Sequence, residues 1–351
     1  MKQPVRKEII KMIERIAIMG TGSLGTILGA YIAKGGMDVT LVDAWKEHVD
    51  ALNENGATVV GEVNMNVPVN ACTPEEMDGT FDLFIYLAKQ TFNETAIPQM
   101  ISHCHENTII CTGQNGIPEL AVAEYWPKDK ICGATVGWDA GIVSPGISRL
   151  TASPKGPNFN MHLGTLEGPV TPWLEEVKDI IELMCPVFLT EELIKDRWSK
   201  ILINATLSGM STVVNGTFGD ACSTDHGREC LVRIGREVVQ VCHAQGIRLP
   251  EIFGVDFDSV LSYKTALEEG YVKSMFAQLG AQKGKASMLQ DLEKGRKCEI
   301  KYINGVVADA GRKAGIDTPY TDAVIQIVEE IQEGKRPLSA DNLNSMPHLP
   351  L

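Results

Sequence analysis

Over the first half of the chain, apolar residues come in short runs separated by amphipathic stretches. Ile16–Met19, Asp38–Val42, Phe81–Leu87, Thr108–Thr112 and Lys130–Val136 have the length and content of buried strands. Between them, Leu24–Lys34, Trp45–Asn53, Asn93–His103 and Ile117–Tyr125 carry the period of helices buried on one face. Ala57–Val60 and Val67–Val69 read as a short hairpin or strand pair. Asp139–Gly164, with Gly, Pro and Ser at its turns, reads as antiparallel strands. Strands alternating with helices predict an α/β domain around a doubly wound parallel sheet, covering residues 1–190.

After about Thr190 the strand pattern disappears. Glu191–Asn215, Thr224–Gln245, Asp258–Gly270, Cys298–Ala314 and Tyr320–Glu333 all show helical periodicity, which predicts an all-α second domain over 191–335. The first 14 residues read as a charged extension of one or two helical turns. The tail, 336–351, holds three prolines and little apolar pattern, and is expected to be loosely packed.

Composition narrows the function classes. The 351 residues suit two domains, and 44% hydrophobic with 22% charged residues is a globular balance. Lys and Arg number 32 against 45 Asp and Glu, a formal charge of -13. That charge repels a phosphate backbone and argues against nucleic acid or an anionic membrane as the main partner. A small anionic substrate stays open, because a few cations can dominate one cleft. The nine cysteines form no C-x-x-C pair and sit in apolar stretches, as small buried hydrophobes of a reducing compartment. No metal site is expected, since no ligands cluster. The uncharged run Ile16–Ala33 has the hydropathy of a signal or anchor, but Gly20, Gly22 and Gly25 break it into a strand and a helix start. The expectation is a cytoplasmic protein without a membrane segment.

Gly20-Thr21-Gly22-Ser23-Leu24-Gly25 is a G-x-G-x-x-G that directly follows a strand and opens a helix. In a dinucleotide fold the first glycine makes the tight turn and the second lets the backbone approach a pyrophosphate. The third allows close helix–strand packing, and the helix N-terminus faces the anion. Asp43 ends the second strand. An acid there accepts hydrogen bonds from ribose hydroxyls and repels a 2'-phosphate, so NAD(H) is expected over NADP(H). The run Asp43-Ala44-Trp45-Lys46 reads equally as a helix cap, and Lys46 would meet a 2'-phosphate.

Lys200, Asn204 and Ser208 stand four residues apart. At about 400° per step, an α-helix would align them as a polar stripe, with Trp198, Ile201, Leu202 and Ala205 on buried faces. Such a stripe reads either as a solvated helix face or as the wall of a wet cleft.

With its Trp198-Ser-Lys200 followed by Asn204, this segment resembles the W-x-K-x-x-x-N of the ketopantoate reductase family. Further motifs are similar in the same order. They are Gln114-Asn115-Gly116, Gly133-Ala-Thr-Val-Gly137, Ser287-Met-Leu-Gln-Asp-Leu, Gly295-Arg-Lys-Cys-Glu299-Ile-Lys-Tyr-Ile-Asn304-Gly305 and Ile316-Asp-Thr-Pro319. The resemblance runs from about Arg15 to Glu333. It implies a Rossmann-type domain followed by a helical domain like the C-terminal one of 6-phosphogluconate dehydrogenase, and the NAD(P)H-dependent reduction of a 2-oxo acid.

Residue by residue, the resemblance makes Lys200 the general acid that protonates the carbonyl oxygen. A lysine needs desolvation to act as an acid near neutral pH. Glu299 becomes the carboxylate that orients substrate and shares a network with Lys200. Asn204 becomes a substrate-binding amide, Ser287 the hydroxyl for the substrate carboxylate, Asn115 the amide near nicotinamide and carbonyl, and Lys89 a cofactor-facing lysine. Taken alone, Glu299 reads as a surface carboxylate, Ser287 as a helix cap and Asn115-Gly116 as a turn.

Two departures bear on substrate and cofactor. Ser208-Gly209-Met210 stands where the family has a second Asn and an Asn-Pro pair, and Asp43 replaces a basic residue. The leading expectation is reduction of 2-dehydropantoate to (R)-pantoate in pantothenate synthesis. The alternatives are an NAD-linked D-2-hydroxy acid dehydrogenase for a branched or aromatic acid, and a dinucleotide-sensing regulator without chemistry. Helical second domains of this class often form dimer contacts, which leaves a homodimer open.

Overall fold

The computed structural model describes residues 12–251, 256–262 and 285–348. Two compact units form, Met1–Gln114 with Pro118–Leu193, and Asn115–Ile117 with Ile194–Leu351.

The first unit is the expected α/β architecture. Its strands are β1 (Arg15–Met19), β2 (Asp38–Val42), β3 (Ala57–Gly61), β4 (Met65–Val67), β5 (Asn70–Cys72), β6 (Phe81–Tyr86), β7 (Cys104–Thr112), β8 (Ile131–Val136), β9 (Ala140–Ser144), β10 (Ile147–Leu150), β11 (Met161–Thr165) and β12 (Val187–Leu189). Its helices are α1 (Ser23–Lys34), α2 (Lys46–Asn55), α3 (Asn93–Ile101), α4 (Pro118–Val122) and α5 (Pro172–Ile181). The main sheet runs β12-β11-β8-β7-β6-β1-β2-β5. From β5 to β8 every pairing is parallel, and the chain order reverses between β1 and β6. That is the dinucleotide-binding order, and ligands lie at the strand ends where it reverses.

Alternation along β1 shows why the strands are apolar throughout. Ile16 and Ile18 join a core cluster with Ile27 and Leu28 of α1, while Ala17 and Met19 join one with Phe84 and with Ile97 of α3. Both faces of the sheet are covered, so neither can be polar.

Several elements differ from expectation. β9 and β10 pair antiparallel as the sequence suggested for Asp139–Gly164, but β10 also pairs parallel to β3. This builds a separate sheet, β4-β3-β10-β9. α5 and β12 went unread, and α4 is shorter than Ile117–Tyr125. Of the N-terminal extension only residues 12–14 are described, and they are not helical. Glu176 accepts from the backbone N–H groups of Met12 and Ile13, and Asp82 from those of Glu14 and Arg15, which leads the chain straight into β1.

The second unit is helical. It contains α6 (Leu193–Ile203), α7 (Gly209–Val213), α8 (Phe218–Ala221), α9 (Asp225–Ala244), α10 (Ser287–Glu293), α11 (Ile300–Ala314) and α12 (Pro319–Gln332). One core unites them, with Trp198, Leu202, Val238, Ile303 and Val324 among its members. The single helix expected over Glu191–Asn215 is instead interrupted by a π-helical turn, Asn204–Ser208. Most of the expected helix Asp258–Gly270 lies outside the described residues, and Phe257–Ser262 is a 3-10 turn. The tail is not loose over its described part. Met346 and Asn342 are buried, and Arg336 Nε donates to Glu330 at 2.7 Å, because Met346 completes the helical core. Among the described residues no helix is long and apolar enough to cross a membrane, and no group of His, Cys, Asp and Glu is placed to hold a metal ion.

Candidate active site

The glycine turn joins β1 to α1 at the strand reversal. Gly20 has φ +92°, and a Cβ there would fall 2.1 Å from the backbone nitrogen of Ala88. The turn is this tight because Leu87 and Ala88 both donate backbone N–H groups to the Met19 carbonyl, at 2.8 and 2.9 Å. A Cβ on Gly25 would fall 2.5 Å from the Gly20 carbonyl oxygen. Gly22 is different: it is exposed, and a Cβ there would meet nothing within 4 Å. The fold itself therefore does not require a glycine there. At the start of α1 no side chain caps Gly22 and no acid occupies the first turn. The helix N-terminus therefore offers its N–H groups, from Ser23, Leu24 and Gly25, to an anion. A dinucleotide pyrophosphate fits this cradle.

Beneath the turn lies a relay that sequence reading missed. Thr26 Oγ1 donates to the Thr21 carbonyl at 2.7 Å and lies 3.1 Å from His48 Nε2. Gly146 donates its backbone N–H to His48 Nδ1 at 3.0 Å. Nδ1 is therefore the acceptor nitrogen, and Nε2 carries the proton that it donates to Thr26. Burial holds the His48 pKa below its ordinary value, against the opposing pull of Asp43. The sequence did hold a signal, since His48 shares the buried face of α2 with Val49 and Leu52.

Asp43 follows β2 and turns back on its own chain. Its Oδ1 accepts the Trp45 backbone N–H at 3.0 Å, and its own N–H donates to the Cys72 carbonyl. This is the helix-entry role that the sequence left open. Lys46 pairs with Asp50 one turn along α2. Lys89 follows β6, next to the Ala88 that walls Gly20, and starts the turn Gln90–Phe92.

In the second unit, three of the expected polar residues come together. Asn204 Nδ2 donates to Asn115 Oδ1 at 3.4 Å, and Asn115 Nδ2 donates to Glu299 Oε2 at 3.5 Å. These residues are 89 and 184 positions apart in sequence. Glu299 sets the direction of the chain. A carboxylate only accepts, so Asn115 must present its nitrogen to Glu299 and its oxygen to Asn204. Glu299 is 6% exposed, unlike a surface carboxylate, and it stands at the N-terminus of α11, where the helix dipole favours negative charge.

Lys200 is half-buried in the last turn of α6, one turn before Asn204. Trp198, Ile201, Leu202 and Ala205 are buried as expected. Ser208 is buried at the end of the π-helical turn. Ser287 is exposed at the first position of α10, where Ala286 holds the cap position, so Ser287 is not a helix cap. Asn304 interrupts the apolar face Ile300, Ile303, Val307 of α11, a signal in the sequence for a buried polar role.

Comparison with known proteins follows the two units. A family model described as "Ketopantoate reductase PanE/ApbA" matches residues 16–166, and "Ketopantoate reductase PanE/ApbA C terminal" matches 192–332. A 2-dehydropantoate 2-reductase of Streptococcus pyogenes is 27% identical over 321 residues, covering 89% of this chain and 96% of that protein. A solved 2-dehydropantoate 2-reductase from Geobacter metallireducens is 26% identical at TM-score 0.76, covering 90% of this chain and 99% of its own. A D-mandelate dehydrogenase solved with NADH and anilino(oxo)acetate is 24% identical at TM-score 0.78, covering 92% and 99%, a likeness of fold alone.

These findings correct the cofactor expectation. The preference for NAD(H) over NADP(H) does not stand: the curated relatives are 2-dehydropantoate 2-reductases, an NADPH-dependent activity, and the bound NADH belongs to the mandelate enzyme. At Asp43, Oδ1 accepts the Trp45 backbone N–H and so serves the entry into α2, which gives the acid a local role that needs no ribose. What is supported is a nicotinamide dinucleotide.

Proposed function

The chain belongs to the ketopantoate reductase family and is an oxidoreductase acting on CH–OH, and we propose that it reduces 2-dehydropantoate to (R)-pantoate for pantothenate synthesis. The observation that carries this reading is the chain of amides from Asn204 through Asn115 to the buried Glu299, one helical turn from Lys200.

Gly20, Thr21, Gly22, Ser23, Leu24 and Gly25 would hold a nicotinamide dinucleotide at its pyrophosphate, with Lys89 beside the turn, and the cofactor would supply the hydride when bound. Lys200 donates a proton to the carbonyl oxygen as negative charge develops there, so an alkoxide never has to be stabilised alone. Glu299 fixes the Asn115 amide, and the pair orients the carbonyl. Asn204 donates to the substrate, and the hydroxyls of Ser208 and Ser287 take its hydroxyl and carboxylate ends. Holding these groups ready before the reaction removes an entropic cost that free reactants would meet.

A second reading has one observation in its favour. Ser208 and Gly209 are small where the family carries amides, which suits a bulkier, less polar acid, as in a D-2-hydroxy acid dehydrogenase for a branched or aromatic substrate. Steady-state oxidation of NADPH and of NADH with ketopantoate, 2-oxoisovalerate, benzoylformate, pyruvate and oxaloacetate separates the two. Ketopantoate preferred at least tenfold in kcat/KM supports the first. A tenfold preference for benzoylformate or 2-oxoisovalerate replaces it with the second, and turnover of none removes both.

A further inference from the structure

The helix that carries Lys200 does not run on as an α-helix through Asn204. Gly209 donates its backbone N–H to the Asn204 carbonyl, five residues earlier, which defines a π-helical turn over Asn204–Ser208. Such a turn advances about 80° per residue against about 100° in an α-helix. In an unbroken α-helix, Ser208 would drift about 80° around the axis from Lys200. The wide turn swings it back by about the same amount, into line with Lys200. The stripe expected from i, i+4, i+8 spacing is thus kept within about 40° by the irregularity, where an α-helix would spread it over about 80°.

A wide turn is less favourable than an α-turn and needs a partner to hold it. That partner is on α11. Asn304 is 0% exposed, and its Nδ2 donates to the Ala205 carbonyl, inside the wide turn, at 3.1 Å. Its Oδ1 is buried with no hydrogen-bond partner among the described residues. A purely structural position on the apolar face of α11 would avoid that cost with Leu or Val; the donor is what the site uses. Room for the amide comes from Gly209, one of the residues that depart from the family pattern. A Cβ there would lie 3.2 Å from Asn304 Nδ2, 3.3 Å from Oδ1 and 3.1 Å from Val324 Cγ1.

We propose that Asn304, seated against Gly209, is a positioning residue for substrate: by holding the Asn204–Ser208 turn open, it returns Ser208 to the side of the helix that carries Lys200, with Asn204 about 40° from both. The inference rests on the reading of Lys200, Asn204 and Ser208 as the substrate side of the site. It makes the fit between Asn304 and Gly209 a determinant of which 2-oxo acid is accepted.

The test uses the full-length enzyme, NADPH and the acid from the panel with the highest kcat/KM, with Asn304→Leu, Asn304→Ala, Gly209→Ala and the double variant Asn304→Ala/Gly209→Ala. Asn304→Leu keeps the volume and removes the donor. Each single variant is expected to raise KM for the acid about tenfold, with kcat changed less than threefold. The Kd for NADPH, read by fluorescence without acid, is expected to stay within twofold. Because both substitutions break one contact, the double variant should be no worse than the weaker single one. Hydrogen–deuterium exchange over 204–213 should quicken at least tenfold in Asn304→Ala, a readout independent of activity. Should a variant fail to fold, the remaining three still decide the matter. Unchanged exchange together with KM within twofold of wild type overturns the proposal. Wild-type enzyme that turns over no acid overturns the reductase reading instead, and exchange alone then judges whether Asn304 holds the turn.

Discussion

His48 Nδ1 accepts the backbone N–H of Gly146 at 3.0 Å, joining α2 to the turn of the β9–β10 hairpin across 98 positions of sequence. The bond requires a neutral imidazole, since a protonated Nδ1 would face the Gly146 N–H as a second donor. Burial lowers the His48 pKa from 6.5. Below that value the unfolded chain binds a proton that the folded chain refuses, so stability falls as pH drops through 6.5 and is fully present above it. His48→Phe leaves the Gly146 N–H and the Thr26 hydroxyl without this partner, at a cost of about 2–4 kcal/mol at pH 8. Urea unfolding from pH 5 to 8 should show the loss shrinking toward acid. NADPH affinity should fall about fivefold, because Thr26 no longer holds the Thr21 carbonyl as firmly.

Glu237 presents the opposite slope. Its carboxylate accepts the backbone N–H groups of Tyr320 and Thr321, both at 2.8 Å, at the start of α12. Burial nevertheless raises its pKa from 4.5 to about 7, against those hydrogen bonds. Between these values the folded state holds a proton that the unfolded chain has released, so stability falls as pH rises through the window. In Glu237→Gln this fall should be missing. The stability advantage of wild type over the variant should therefore narrow from pH 4.5 to 8, by up to about 3 kcal/mol. A constant difference across that range would show that Glu237 does not titrate there.

Gly20 and Gly22 separate folding from binding. A side chain at Gly20 collides with the Ala88 backbone in a left-handed conformation, so Gly20→Ala should cost stability as well as cofactor binding. Gly22→Ala meets open space, so its Tm should stay within about 1 °C of wild type. Its NADPH Kd should rise at least tenfold, measured by fluorescence titration. Wild-type affinity in Gly22→Ala would mean that the pyrophosphate does not approach this backbone.

Lys200→Ala and Glu299→Gln test the acid and its network. Loss of the proton donor should lower kcat by about a hundredfold or more, with NADPH affinity unchanged. Glu299→Gln can donate where the carboxylate only accepts, so it frees Asn115 from its fixed orientation, and a rise in KM should accompany the loss of kcat. Single-turnover rates at wild-type level in both variants would remove these residues from the chemistry.

The order of elements was legible because it depends on local pattern. Runs such as Ile16–Met19 and the glycines at Gly20, Gly22 and Gly25 dictate a strand, a turn and a helix whatever surrounds them. The motif residues Lys200, Asn204, Asn115 and Glu299 could likewise be named, and a likeness carried in several motifs at once told them from solvated polar residues. α5 carried a signal in the Thr171 cap, Pro172 at its first position and the buried Leu174, Val177 and Ile181 spacing, whereas β12 was not legible. β12 is three residues long, too short for periodicity to register.

Asp43 illustrates the limit at the cofactor. Its position suited a ribose, but its carboxylate could also bind the backbone two residues on, and only the folded loop shows that Oδ1 makes that local bond. The π-helical turn is a sharper case. Residues 193–213 have unbroken helical periodicity, and what widens the turn at Asn204 is a donor from Asn304, 99 positions beyond the Ala205 carbonyl that it reaches. The sequence by itself determined the strand–helix alternation, the glycine turn and the identity of the polar residues, because neighbours within a few positions set those. The tertiary structure alone decided the direction of the Asn204–Asn115–Glu299 chain, the neutral state of His48 and the wide turn at Asn204–Ser208. Each of these depends on a hydrogen bond closed between distant segments, and no local propensity contains it.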